Sequence, residues 1–216
     1  MKAVVFDLDG TLIDSAPDLH EAAVHMLTAL GKPPIRLDQT VSFIGNGVPN
    51  LVRLCLEDAG LPADEFEAGY KLFEDHYLAH PTEKTIVYPG VQDLLSDLRS
   101  HGIPIGLCTN KPSAMTERVL ADLALDLAFD AVVAGDTLST RKPDPAPLLH
   151  ALSLMGVSVE DGLYVGDSVV DAETAASAQV DFAFFTGGYP KGGEDRFPCV
   201  LRFDDLIILR DHITRQ

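Results

Sequence analysis

The chain has 216 residues, 46% of them hydrophobic and 23% charged, and 16 Lys and Arg against 33 Asp and Glu give a formal net charge of −17. This length can bury a substantial core as one large domain or two small ones, and the composition is globular, without a low-complexity tract or internal repeat. The acidity argues against nucleic acid and anionic membrane surfaces as partners, and any anionic substrate must meet a locally reversed field, from a bound cation and a few Lys or Arg groups.

No apolar run approaches membrane-spanning length, and Met1-Lys2 passes directly into a strand-like stretch with no room for a signal peptide. A cytoplasmic protein without a membrane partner is expected. Cys55, Cys108 and Cys199 are odd in number, far apart and without a C-x-x-C pattern, which disfavours a disulfide framework or zinc site. Cys108 lies in an apolar run and reads as a packing residue rather than a nucleophile.

The first element is Ala3-Val4-Val5-Phe6, a buried strand running into Asp7-Leu8-Asp9-Gly10-Thr11. Residues two apart share a strand face, so Asp7 and Asp9 can reach one point beyond the sheet edge. Two carboxylates there require either a proton on one of them or a cation between them, although Asp and Gly are also ordinary turn residues. Gly10 permits a sharp turn, and Thr11 can hydrogen-bond a carboxylate or an amide. Ser15 reads as an N-cap with Pro17 early in the helix that follows, where Leu19, Ala22, Ala23, Met26 and Leu30 recur at helical spacing up to Gly31-Lys32-Pro33-Pro34. After the turn-rich Phe43-Ile44-Gly45-Asn46-Gly47 come two more helical faces. Val48, Leu51, Val52 and Cys55 form one, and Phe66, Tyr70, Phe73 and Tyr77 form the other. The aromatic stripe is most simply a bundle core. Residues 15–84 are therefore expected to be helical throughout.

From Tyr88-Pro89-Gly90 helix and strand alternate, the pattern of a parallel sheet with covering helices. Strands are expected at 103–108, 129–134, 163–165, 182–185 and near 200–203, with helices from Val91, around Met115 to Leu123, around Leu148 to Leu152, from Asp171 to Ala178, and from about Asp204 to Ile213. Three strands end in potential chemistry, at Asp7/Asp9, Thr109 and Asp167. A doubly wound sheet brings such ends to one edge, where these folds place their ligands. Singly, Thr109 can be an N-cap, Lys142 a solvated loop lysine and Asp167 a turn residue, and it is their joint order that points to a site.

Together Asp7-Leu8-Asp9-Gly10-Thr11, Thr109-Asn110, Lys142-Pro143 and Gly166-Asp167-Ser168-Val169-Val170-Asp171 resemble the four motifs of the haloacid dehalogenase superfamily, over nearly the whole chain. The stretches Asp14-Ser15-Ala16-Pro17-Asp18-Leu19, Gly45-Asn46-Gly47, Thr109-Asn110-Lys111-Pro112 and Arg141-Lys142-Pro143-Asp144-Pro145 resemble its phosphoglycolate phosphatase branch. Val170 and Gln179 depart from that branch, standing where Asn and Gly are usual. The resemblance implies an α/β fold, a Rossmann-like doubly wound parallel sheet core at 1–14 and 85–216 with an inserted all-helical cap domain at 15–84. It implies a phosphoric monoester hydrolase acting on a small phosphorylated metabolite, 2-phosphoglycolate first among them, as a monomer or small homo-oligomer. In these terms Asp7 is the nucleophile and Asp9 the acid and base. Mg²⁺ is held by the Asp7 and Asp167 carboxylates and the Asp9 carbonyl, with Asp171 orienting that shell. Thr109 and Asn110 bind the phosphoryl group, Lys142 neutralises charge, and Asn46 contacts the leaving group from the cap. Lys32 is a further cap lysine, in a setting that reads more simply as helix termination. The alternatives are a phosphatase or phosphomutase for another small metabolite such as a sugar phosphate, and a non-catalytic binding protein on the same fold.

Overall fold

The computed structural model describes residues 3–189, 192 and 196–214. In chain order, β1 (Ala3–Phe6) and β2 (Ile13–Asp14) precede four helices, α1 (Ala16–Ala29), α2 (Leu37–Phe43), α3 (Val48–Asp58) and α4 (Phe66–Ala79). Then come β3 (Ile86–Val87), α5 (Val91–Ser100), β4 (Ile105–Cys108), α6 (Ser113–Asp122), β5 (Ala131–Val133) and α7 (Ala146–Leu154). The remainder is β6 (Gly162–Gly166), α8 (Val169–Ala178), β7 (Asp181–Phe185), β8 (Leu201–Phe203) and α9 (Leu206–Thr214).

All four residues of β1 are inaccessible to solvent. The two-residue period sends Val4 and Phe6 into one core and Ala3 and Val5 into another, so the sheet must be covered on both faces. Six strands pair in the order β5-β4-β1-β6-β7-β8, each pair parallel. On one face Leu148 and Leu152 of α7 and Ala172 and Ala175 of α8 pack with Val5 and Tyr164. On the other, Leu94 and Leu98 of α5, Val119 of α6 and Leu209 of α9 join Val4 and Phe6. The expected strand at 103–108 begins only at Ile105, because Pro104 has no N–H for the ladder and contributes its carbonyl, which accepts from Val4 at 3.0 Å. Burial pushes the Cys108 thiol up to about 12, in keeping with a packing role.

The segment between β2 and β3 is all helical. Its interior is built from Ala22, Ala23 and Met26 of α1, Val52 and Cys55 of α3, and Phe73 and Tyr77 of α4, a continuation of the core under the sheet. Phe66 and Tyr70, the other half of the aromatic stripe, are only partly buried. The chain leaves and returns through an antiparallel ribbon that pairs Ile13 with Val87 and Asp14 with Ile86. Asp18, buried in the first turn of α1, accepts the main-chain N–H of Lys84 and of Thr85, the latter at 2.7 Å, and the Thr85 hydroxyl at 2.6 Å. The ribbon was not expected from the sequence, and α2, although inside the stretch expected to be helical, has no pattern of its own there. Two-residue strands carry no period, and α2 lacks an apolar stripe, with Thr40 its sole buried residue. Among the described residues no helix is long and apolar enough to cross a membrane.

Candidate active site

β1, β4 and β6 end at one edge of the sheet, and the next residue in each case is polar: Asp7, Thr109 and Asp167. The Asp7 N–H donates to the Val165 carbonyl at 2.9 Å, which carries the ladder one residue past β1 and fixes the aspartate against β6. Gly10 then turns the chain with φ of +89°, and a Cβ there would fall 2.3 Å from Asp167 Oδ2, so both backbone angle and space require glycine. Thr11 Oγ1 donates to Asp167 Oδ1 at 2.9 Å, the carboxylate bond foreseen for it.

Asp7, Asp167 and Asp171 bring one carboxylate oxygen each within 4.8 Å of one another, all buried. Lys142 reaches this cluster from the Arg141–Pro145 loop, its Nζ 2.8 Å from Asp7 Oδ1 and 2.7 Å from Asp171 Oδ1, and it donates to the Tyr164 hydroxyl at 2.9 Å. The Asp7 contact is an ion pair off the line of a hydrogen bond, leaving Asp7 Oδ1 without a hydrogen-bond donor. Burial, and after it the Asp171 charge, raise the Asp7 carboxyl to about 7 even against Lys142. The Asp167 carboxyl is also pushed well up, by burial and then by Asp171 and Asp7. Burial would lower the Lys142 ammonium, but Asp171 and Asp7 outweigh it and hold the group above the usual lysine range.

One ammonium thus faces three buried carboxylates, and the set has the chemistry of a hard-cation site. Asp171 has no oxygen to spare for an ion: Lys142 and Tyr164 occupy Oδ1, and Ser168 bonds Oδ2 through both N–H and Oγ in the capping box of α8. Asp167 accepts one donor at each oxygen, Thr11 at Oδ1 and the Tyr189 N–H at Oδ2, and so keeps a lone pair on each, while Asp7 Oδ1 has no hydrogen-bond donor. Oxygen donors alone suit Mg²⁺ or Ca²⁺ over softer metals, so the residues fit Mg²⁺, with Asp171 as orienting group.

Asp9 does not share the cluster. Its carboxylate takes the Ser15 hydroxyl at 2.5 Å and the Lys111 ammonium at 3.1 Å, so Asp7 and Asp9 have separate partners. Ser15 accordingly makes no side-chain capping bond on α1. Lys111 is a site residue to which the motifs alone assign no role. It is buried, with Nζ 4.7 Å from the centre of the Tyr77 ring, and although burial opposes its charge, Asp9 holds the ammonium above its usual range. A lysine directly after a strand-end Thr-Asn pair was the signal available for it.

Asp7, Asp9, Thr109, Asn110 and Lys111 form the floor of a cavity of about 30 Å³, room for a water or two and too little for a phosphate ester. Leu19, Ile44, Val48 and Leu51 roof it from the helical segment. The loop after α2 reaches the site through Gly45 and Gly47: Asn110 Nδ2 donates to the Gly45 carbonyl at 3.2 Å and the Lys142 carbonyl at 3.0 Å, and a Cβ on Gly47 would fall 2.7 Å from Asn110 O. Asn46, between these glycines, is exposed and is not among the residues that line the cavity. Lys32 serves helix termination, its N–H bonding the Leu27 carbonyl at 2.8 Å after Gly31 at φ +72°.

A family model described as haloacid dehalogenase-like hydrolase matches residues 1–179. A protein of Cereibacter sphaeroides named phosphoglycolate phosphatase is 47% identical over 88% of this chain and 87% of its own length. One of Pseudomonas aeruginosa named phosphoglycolate phosphatase 1 is 42% identical over 99% of this chain and 85% of its own. The crystal structure of a predicted phosphoglycolate phosphatase from Haemophilus somnus superimposes with a TM-score of 0.94 at 28% identity, covering 99% of this chain and 98% of that one.

Proposed function

The chain belongs to the haloacid dehalogenase-like hydrolases, and we propose that it is a Mg²⁺-dependent phosphatase that converts 2-phosphoglycolate to glycolate and phosphate. The observation that carries this reading is the buried Asp7 at the end of the central strand, beside Lys142 at 2.8 Å and facing Asp167. The names of the relatives at 47% and 42% identity supply the substrate. In this reading residues 15–84 are a cap on a core of 1–14 and 85–216, in which 1–2, 190–191, 193–195 and 215–216 lie outside the described residues. The protein works in the cytoplasm, in keeping with three free cysteines, as a monomer or small homo-oligomer.

A carboxylate oxygen of Asp7 attacks phosphorus while the bond to the ester oxygen breaks, leaving the phosphoryl group on Asp7 as an acyl phosphate. Asp9, oriented by Ser15 and Lys111, gives its proton to the departing alkoxide. Water then attacks the phosphoryl group, Asp9 takes its proton, and Asp7 is released. Thr109 and the Asn110 N–H bind phosphoryl oxygens, and Lys142 offsets the charge at Asp7. The Asp7 and Asp167 carboxylates and the Asp9 carbonyl would hold Mg²⁺, which supplies positive charge for the phosphoryl oxygens when bound. The cavity of about 30 Å³ requires the cap to move before an ester can enter.

A panel of phosphorylated metabolites assayed with Mg²⁺ is expected to give the highest kcat/KM with 2-phosphoglycolate. A higher value for a sugar phosphate would reassign the substrate, and no turnover of any ester would refute the phosphatase reading.

A further inference from the structure

Lys111 is placed to do more than orient Asp9. We infer that its ammonium binds the carboxylate of the substrate and selects esters that carry a second anionic group close to the ester oxygen. This rests on the phosphatase reading above.

The cavity offers a substrate carboxylate one cation among the described residues that line it. Beyond the floor the side chains of its wall are those of Leu19, Ile44, Val48 and Leu51, with Gly45 and Gly47 presenting main chain only, so no wall residue brings a charge to meet an anion. Lys142 is not available, since its Nζ is already held by Asp7, Asp171 and Tyr164 behind the nucleophile. Lys111 has three N–H donors, and its hydrogen bonds go to one carboxylate, at 3.1 and 3.4 Å from the two oxygens of Asp9. The ammonium therefore keeps donor capacity beyond Asp9, with the buried Tyr77 as its other neighbour. The Tyr77 ring, 4.7 Å away, fixes the group from the other side, so little side-chain freedom remains to be lost on binding.

Position sets the reach. Thr109 and Asn110, which hold the phosphoryl group in this reading, immediately precede Lys111 along the chain. Asp9, which protonates the ester oxygen, is the residue Lys111 touches. An ester oxygen at Asp9 puts the atoms one or two bonds further on beside Nζ, where a two-carbon hydroxy acid carries its carboxylate. A neutral alcohol of the same size would leave the ammonium with Asp9 alone.

The test compares 2-phosphoglycolate with ethyl phosphate, which has a methyl group in place of the carboxylate, using the Mg²⁺-loaded full chain. Wild type should prefer 2-phosphoglycolate. Lys111→Met should lower its kcat/KM by about 100-fold more than that of ethyl phosphate, the order expected when a buried charge partner is removed. Lys111→Arg should restore part of the preference. Calorimetric Kd values for the two esters on Asp7→Asn protein, with and without Lys111→Met, should show the same loss without relying on turnover. Equal losses for both esters would mean that Lys111 acts only through Asp9 and would overturn the proposal. Wild-type turnover of both esters without a preference would overturn it too, whatever the variants do, and would leave the phosphatase reading standing. If neither ester is bound or turned over, it is that reading which fails, and this inference with it.

Discussion

As the proposed nucleophile, Asp7 faces two conflicting demands: it must be ionised, yet burial and Asp171 raise its carboxyl to about 7. Asp167 is raised for the same causes. Without metal, both carboxyls bind protons more tightly in the folded chain than unfolded, where the ordinary value is 3.8. Their contribution therefore favours the fold most below about pH 4 and declines as pH rises, the Asp7 part through about 7. Mg²⁺ competes with those protons, so it should raise the Tm more at pH 8 than at pH 5, and an equal rise at both would contradict the assignment of Asp7 and Asp167 as ligands. Asp7→Asn keeps the size and removes the nucleophile. It is expected to cut kcat by a factor on the order of 10⁴ or more, with an unchanged circular dichroism spectrum. Asp7, Thr109 and Asp167 were legible because a strand ends immediately before each. Lys111 was less so: its place after Thr109-Asn110 is a signal, but its partner Asp9 is 102 residues away in sequence.

At the scale of elements, the parallel sheet was legible from its runs of apolar residues, whereas the short pieces that set the helical segment on it were not. The link between α1 and the return strand is Asp18, an acidic residue in the first turn of α1, where a carboxylate also suits the helix dipole. Its oxygens serve Lys84 and Thr85. Asp18→Ala leaves those buried donors unpaired and should cost about 2–4 kcal/mol in urea unfolding; a loss of under half a kilocalorie would show that the ribbon holds without it. Gln179 ends α8 with φ of 56° and ψ of 35°, a left-handed conformation that glycine adopts without strain. Gln179→Gly should therefore stabilise by about 0.5–1 kcal/mol after the added freedom of the unfolded chain is counted. A lower Tm would mean that the Gln179 side chain contributes more than its backbone costs.

For the whole molecule, the formal charge of −17 sets the terms on which an anionic ester approaches. The positive groups of the site, Lys142 and Lys111, are buried and matched by carboxylates, so the long-range field stays repulsive. At fixed Mg²⁺, raising NaCl from about 10 to 150 mM shortens the Debye length from about 30 to 8 Å and should lower KM for 2-phosphoglycolate; a rise in KM would reveal an attractive surface path. The central claim is that two neighbouring aspartates divide the chemistry, Asp7 carrying the phosphoryl group and Asp9 moving the proton. Asp9→Asn separates them, since p-nitrophenolate leaves with little need of an acid whereas the second step still needs a base. Quenched single-turnover mixing of Asp9→Asn with p-nitrophenyl phosphate and Mg²⁺, read by mass spectrometry of the peptide containing Asp7, should find the phosphoryl group accumulating on Asp7. Released nitrophenolate without any phosphorylated Asp7 would contradict the account.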